Sequence, residues 1–300
     1  MQVTKRDGSK EDFSVEKIHK VVSWAVKGIN GVSLSDVEMN ANLSLYDGIT
    51  SSEIHQILIK SANDLISTSA PNYQYVAARL LNMQLRKEVW GYGDQPTDFL
   101  MFIRRNVDNG IYDPQLEKKW SEEEIDAFGK YISHNRDDMF TYAGLQQMID
   151  KYLVKNRSTG DIYETPQFAY MAIAMCLFDD INEVKQAYDC YSTFQINLPT
   201  PIMAGVRTNI RQFASCVLVD VDDNLDAIFS SIHAVGKYTA RRAGIGLNIG
   251  RMRPINSPIR GGEVIHTGLI PYLKNFESAV KSTSQNGLRG GSATVHVPFW

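Results

Sequence analysis

Between Arg241 and Trp300 the sequence sets arginines inside glycine-rich runs three times. The first run is Arg241-Arg242-Ala243-Gly244-Ile245-Gly246-Leu247-Asn248-Ile249-Gly250-Arg251, and the second is Ser257-Pro258-Ile259-Arg260-Gly261-Gly262-Glu263. The third is Thr283-Ser284-Gln285-Asn286-Gly287-Leu288-Arg289-Gly290-Gly291. Glycine lets a backbone approach a ligand with no Cβ in the way. The guanidinium group adds a planar fork of donors that matches phosphate oxygens. The chemistry this favours is the holding of an anion. None of the runs has P-loop spacing or the dinucleotide-binding fingerprint.

A second set of charges lies near the amino-terminal end. Lys5 and Arg6 fall at a turn, while Lys17, His55 and Lys87 fall on three different helices. Periodicity alone reads them as solvated charges on a small domain. The three cysteines, Cys176, Cys190 and Cys216, contain no close pair and no CxxC, which fits a reducing, cytoplasmic setting. By residue pattern each is a packing residue, Cys216 as a small hydrophobe on a strand. Six histidines are scattered without HxxxH, so no metal site is expected.

The elements that must position these residues can be taken in order. Gln2-Val3-Thr4 and Glu11-Asp12-Phe13 flank an Asp7-Gly8 turn, the pattern of a β-hairpin. Ser14 caps a helix ended by Gly28 and Gly31, Thr50-Ser51-Ser52-Glu53 is a capping box, and a further helix runs from about Asn72 to Glu88. A linker at 90–96 closes this unit. Residues 93–210 read as mainly helical, with Ser121 opening one helix and 167–178 buried in another. Leu198-Pro199-Thr200-Pro201 then breaks the helices. After it come a strand in 213–220, a helix with Leu225, Ile228, Phe229, Ile232 and Val235 on one face and Gly244 at its end, and a strand alternating at Ile245, Leu247 and Ile249. A helix over 267–281 and a strand over 292–297 follow. This is the rhythm of a parallel α/β sheet or barrel. The expected division is 1–92, 93–210 and 211–300.

Composition sets limits on function. With 43% hydrophobic and 22% charged residues the chain has material for a core, and a net charge of −3 argues against a general nucleic-acid binder. No apolar run reaches a membrane span of about eighteen residues, and no leader precedes Lys5. The expected partners therefore include neither nucleic acid nor a membrane.

Val3-Thr4-Lys5-Arg6-Asp7-Gly8-Ser9, with Lys17-Ile18 and Tyr46-Asp47-Gly48-Ile49, resembles an ATP-cone domain. That regulatory module binds ATP or dATP at the amino end of many ribonucleotide reductase large subunits. The resemblance makes Lys5, Arg6, the segment Glu11 to Lys17, Ser51, His55 and Lys87 nucleotide contacts, with the hairpin covering the base. Further on, Leu198-Pro199-Thr200-Pro201-Ile202-Met203, Ser215-Cys216, Arg242-Ala243-Gly244-Ile245-Gly246, 257–263 and Arg289-Gly290-Gly291 stand in an order and spacing that resemble class I ribonucleotide reductase large subunits. The implied architecture is an ATP-cone (β-hairpin plus helical bundle), a helical region and the first part of a ten-stranded α/β barrel.

The resemblance also implies roles. Cys216 would be the first member of the redox-active cysteine pair. Thr200 and Ser215 would hold the substrate diphosphate or lie beside the ribose, with Gly244 giving room to the sugar. Asp223, Asn224 and Leu225 would bind a deoxynucleoside triphosphate or ATP as specificity effector, with Arg253 and Arg260 on its phosphates. Gln285 and Arg289 would pass effector identity to the substrate. The glycines at 287, 290 and 291 make that loop deformable, so an effector could select among its conformers.

The family reaction replaces the ribose 2′-hydroxyl of a ribonucleoside diphosphate with hydrogen by thiyl-radical chemistry. Its implied partners are a diiron-tyrosyl radical small subunit, thioredoxin or glutaredoxin as reductant, and a second large subunit across the helices at 224–241 and 267–281. The radical cysteine, the second cysteine of the pair and the redox-active tail of the family find no counterpart here. The expectation is a split large subunit, inactive alone and completed by a complementary carboxy-terminal chain. The apolar Val295, Val297, Phe299 and Trp300 would otherwise leave a sheet edge unpaired. A competing reading is a non-enzymatic ATP/dATP-sensing protein with a vestigial barrel.

Overall fold

The Asp7-Gly8 turn closes the hairpin that the sequence predicts, with Gly8 at φ +83 and the Asp7 carboxylate accepting from the Ser9 amide and hydroxyl at 2.9 and 2.6 Å. Strands β1 (Gln2–Thr4) and β2 (Lys10–Asp12) pair antiparallel across it. The computed structural model describes residues 1–42, 44–156, 158–210, 212–284 and 291–298. They fall into two compact units, Met1–Leu198 and Pro199–Trp300.

In the first unit, α1 (Val15–Val26) starts at Ser14, whose hydroxyl accepts from the Lys17 amide. It is followed by α2 (Leu34–Asn42), α3 (Ser51–Asp64) and α4 (Tyr73–Trp90), which ends at Gly91 with φ +80. Val22, Val37, Leu58, Ala62, Val76 and Leu80 form the core between them. The capping box at α3 is complete: Thr50 Oγ1 accepts from the Glu53 amide at 3.1 Å, and Glu53 accepts from the Thr50 amide at 2.9 Å. Thr50→Ala removes one half of this exchange. The expected loss is about 1 kcal/mol, read from urea denaturation.

The helical segment continues through α5 (Phe99–Asp108), α6 (Gln115–Lys119), α7 (Glu122–Tyr131), α8 (Tyr142–Gln147), α9 (Pro166–Leu177) and α10 (Ile181–Ser192). Helix α9 is buried from Pro166 to Met175, as its apolar all-round composition requires. Its Phe168 packs against Trp90, Phe99 and Phe102 with ring centroids 4.9–5.4 Å apart, so α4, α5 and α9 share one aromatic core.

The second unit begins with α11 (Thr200–Gly205). Pro199 and Pro201 open this short helix as well as ending the previous run, because proline costs no hydrogen bond in a first turn. Then come β3 (Cys216–Asp220), α12 (Leu225–Ala240), β4 (Gly244–Asn248), β5 (Pro258–Ile259), β6 (Val264–Ile265), α13 (Ile270–Ser284) and β7 (Ala293–His296). Strands β3, β4 and β7 form a parallel sheet in that order, and β5 pairs antiparallel with β6. Helices α12 and α13 cover one face, burying Ile228, Val235, Ile245, Leu247, Phe276 and Val280.

Three local expectations differ from the structure. Helix α12 ends at Ala240 and Arg242 takes the left-handed φ of 72, so Gly244 opens β4 and does not end the helix. Leu225 and Phe229 are 58% and 57% exposed, because the buried stripe of α12 runs through Ile228, Ser231 and Val235. Cys216 is not a packing residue of its strand: with Leu218 and Asp220 it is exposed, on the sheet face of β3 away from α12 and α13.

Candidate nucleotide and substrate sites

The amino-terminal site is assembled by strand pairing and one helix. Thr4 bridges Thr50, which brings the end of β1 to the start of α3 at Ser51. The Asp47-Gly48-Ile49 segment is held to β1 by Gly48 N–H to Gln2 O at 2.9 Å, Thr4 N–H to Ile49 O at 2.9 Å, and Gln2 N–H to Asp47 Oδ1 at 2.7 Å. His55 lies one helical turn after Ser51, on the same face. Glu11 receives Lys17 Nζ at 2.7 Å and Lys5 Nζ at 3.3 Å. The Lys17 hydrogen bond, with the Lys5 bond behind it, holds the Glu11 carboxyl below the usual range.

His55 is buried, and its Nε2–H donates to Leu80 O at 2.7 Å. Burial pushes its pKa down to about 4, helped by the charges of Lys87 and Arg6. Lys87 is half-buried, and its pKa is lowered by that burial and then by Arg6 and Lys5. Lys5, Arg6, His55 and Lys87 therefore lie in each other's field, with no salt-bridge partner for Arg6 or Lys87 among the described residues. Three cations, Lys5, Arg6 and Lys87, converging beside a neutral His55 favour a polyanion.

At the second unit's sheet, Cys216 at the start of β3 pairs with Gly244 at the start of β4. The Gly244 amide donates to Ser215 O at 2.9 Å. A Cβ on Gly244 would come to 3.5 Å from Cys216 Sγ, so glycine leaves that face bare beside the exposed thiol. Thr200 lines a depression with Pro201, Gly205, Arg241 and Arg242. The sequence marked the run starting at Arg241 without giving Arg241 or Arg242 a neighbour. The turn that places them beside Thr200 is set by the φ of Arg242, which no residue type announces.

The expected effector residues gather where α12 begins. Asn224 is the cap of α12, its side chain accepting from the Ala227 amide at 2.8 Å, and Leu225 is exposed beside it. The Asp223 carboxylate takes Arg253 Nε at 2.7 Å and the Arg253 amide at 3.1 Å. Arg253 Nη1 reaches Pro258 O at 3.5 Å, which ties it to the β5–β6 hairpin. Arg260 stands exposed on that hairpin, with Arg260, Gly261 and Gly262 at φ 51, 69 and 96. Asp223, Asn224, Leu225 and Arg253 are thus one cluster, with Arg260 on the arm attached to it. Gln285 and Arg289 lie outside the described residues. Among the described residues no helix is long and apolar enough to cross a membrane.

Three family models match the chain: the ATP cone domain over residues 1–88, the ribonucleotide reductase all-alpha domain over 138–211, and the ribonucleotide reductase barrel domain over 214–300. Ribonucleoside-diphosphate reductase 1 subunit alpha of Escherichia coli (strain K12) is 50% identical over 304 residues, covering 99% of this chain. The subunit alpha of Enterobacteria phage T4 is 47% identical over 307 residues, and that of Helicobacter pylori (strain J99) 32% over 303 residues, covering 100% and 99% of the chain. The chain spans 40%, 40% and 38% of these relatives' own lengths. With all three domains matched in sequence order, the chain belongs to the ribonucleotide reductase large-subunit family, as its amino-terminal portion.

Proposed function

We propose that the chain serves as the amino-terminal portion of a ribonucleoside-diphosphate reductase large subunit, in which ribose loses its 2′-hydroxyl to form deoxyribonucleotide. The observation that carries this reading is the 50% identity to the Escherichia coli reductase subunit over 99% of the chain. In it, the exposed Cys216 thiol is one half of the dithiol that gives two electrons to the substrate and closes to a disulfide. Thr200 and Ser215 hold the diphosphate and ribose, and Gly244 leaves space for the sugar. Asp223, Asn224, Leu225, Arg253 and Arg260 hold a deoxynucleoside triphosphate effector, and Gln285 and Arg289 relay its identity. Lys5, Arg6, Glu11, Lys17, Ser51, His55 and Lys87 hold ATP or dATP at the cone.

The radical cysteine and the second thiol of the pair belong to the part of the relatives' length that this chain does not span, on whichever polypeptide carries it. A small subunit with a diiron-tyrosyl radical supplies the oxidising equivalent, and thioredoxin or glutaredoxin restores the dithiol. Exposed Leu225 and Phe229 on α12 and Ile270 on α13 suit a dimer contact. We read 1–92, 93–210 and 211–300 as cone, helical region and barrel start. A purely sensory protein is not favoured, because the barrel segment keeps Cys216 bare beside Gly244.

The test is diphosphate reduction by this chain combined with a chain covering the rest of the relatives' length, the small subunit and a dithiol. Turnover is expected only for the combination, and Cys216→Ser should abolish it while triphosphate binding persists. Persistence of full turnover in Cys216→Ser would overturn the assignment. Arg260→Ala, which removes one exposed cation from the effector phosphates, should weaken deoxynucleoside triphosphate binding about tenfold by calorimetry, consistent with ~1.5 kcal/mol for a charged hydrogen bond.

A further inference from the structure

Helix α4 faces two ways. Toward the cone, Leu80 O accepts from His55 and Lys87 joins the cationic cluster. Toward the helical segment, Asn82 and Arg86, one turn apart, both reach Asp137 on the 3-10 turn His134–Met139. Asn82 Nδ2 donates to Asp137 Oδ2 at 3.1 Å, and Arg86 Nη2 donates to the same oxygen at 2.8 Å. Asp137 Oδ1 takes Gln167 Nε2 of α9 at 2.9 Å, and Gln167 Oε1 takes the Tyr188 hydroxyl of α10 at 2.6 Å. The Tyr188 oxygen in turn accepts the Ser133 amide at 2.9 Å, which returns the network to the start of the 3-10 turn. Arg86 is 6% exposed, Asp137 3%, and Gln167 and Tyr188 are fully buried.

This network is a poor choice for stability alone. Arg86 Nε and Asn82 Oδ1 are buried without a hydrogen-bond partner among the described residues. A buried ion pair that is imperfectly satisfied contributes less than a well-packed apolar pair of the same volume. What the pair does supply is position. Arg86 and Lys87 are consecutive, so about 100° of helix separates their side chains, and a displacement of the α4 backbone at Lys87 also moves Arg86 relative to Asp137.

We infer that Asp137 is a positioning residue for the cone's nucleotide site, and that the Arg86–Asp137 pair carries nucleotide binding at Lys87 into the helical segment 133–192. This rests on the reading of the cone as an ATP site. The bistable element is the seating of α4 on the 3-10 turn, which both the ligand and the Gln167–Tyr188 arm bias.

The experiment is ATP titration by calorimetry, with hydrogen–deuterium exchange of the same samples, on the whole chain and on R86M/D137L. In the wild type, ATP should slow exchange in 51–64 and also in 133–140 and 166–192. In R86M/D137L, ATP should bind about fivefold or more weakly, at the low end of site-to-site coupling. It should still slow 51–64, and no longer slow 166–192. D137N, which keeps an acceptor for Gln167 but no charge for Arg86, is the second variant should the first not fold, and it should lose part of the slowing. ATP heat in the wild type without slower exchange in 133–192 overturns the inference alone. Variants that keep both affinity and slowing also overturn it. Absence of ATP heat in the wild type overturns the nucleotide reading and this inference with it.

Discussion

Lys87→Ala is expected to weaken ATP binding at the amino-terminal site about a hundredfold, while the chain folds at least as well as before. The two halves of this expectation come from one fact. Lys87 is half-buried beside Arg6 and Lys5, and its ammonium is disfavoured first by burial and then by those two charges. Removing it relieves repulsion in the chain alone, so no loss of stability should follow. A bound triphosphate reverses the sign of that environment, since it adds several negative charges to a place where water is partly excluded. The lost charge-assisted hydrogen bond is worth ~1.5–3 kcal/mol, and the upper part of that range suits a half-buried donor. An exposed cation such as Arg260 belongs at the lower end, where salt and water screen it. Isothermal calorimetry reads the affinity, and ATP-dependent thermal stabilisation offers a second measure, since a ligand at a hundred times its Kd adds ~2.7 kcal/mol. Unchanged affinity in Lys87→Ala would remove Lys87 from the site.

How much of this was legible in the residues differs between the two units. The cone's elements announce themselves: Asp7-Gly8 turns the hairpin, and Ser14 and Thr50 carry their caps, because such signals act over four residues or fewer. The parallel strands were equally readable, since Ile245 and Leu247 alternate with small and polar residues and both are buried. What could not be read was which neighbour each charge would find. Arg253 looked like a free phosphate ligand, yet three of its donors are turned to Asp223, thirty residues earlier in the chain. Asp137 carried no signal at all, because a buried carboxylate differs from an exposed one only through partners that lie 51 and 30 residues away. The exposed side of α12 was misread for a related reason. Leu225 and Phe229 keep helical spacing with the buried residues, and spacing gives a stripe's period but not its width.

Stability should fall as the pH is lowered from about 6.5 to about 4, and His55 and His134 should account for most of the fall. Burial pushes both imidazoles down to about 4, from an ordinary value of 6.5. At His134 the charge of Asp137 opposes the shift and Arg86 adds to it. The unfolded chain therefore binds more protons than the folded one throughout this window, and stability rises with pH across it. It is fully present above about 6.5 and is lost as the pH drops toward the folded value. Each histidine gives a slope of ~1.4 kcal/mol per pH unit and a total on the order of 3 kcal/mol. Urea denaturation at steps between about pH 7 and pH 4.5 measures the slope. H55Q/H134Q removes both titrations, and the glutamine amide that replaces His55 keeps a donor for Leu80 O. The double variant should flatten the profile, and a wild-type slope in it would sink the assignment. The two histidines then part company on ligand binding. A triphosphate among Lys5, Arg6 and Lys87 favours the cationic form of His55 and leaves His134, set against Asp137 and Arg86, without a comparable change. ATP binding near pH 5 should therefore be accompanied by proton uptake, visible as binding heats that depend on the buffer's ionisation enthalpy. The uptake should be smaller in H55Q than in the wild type and unchanged in H134Q.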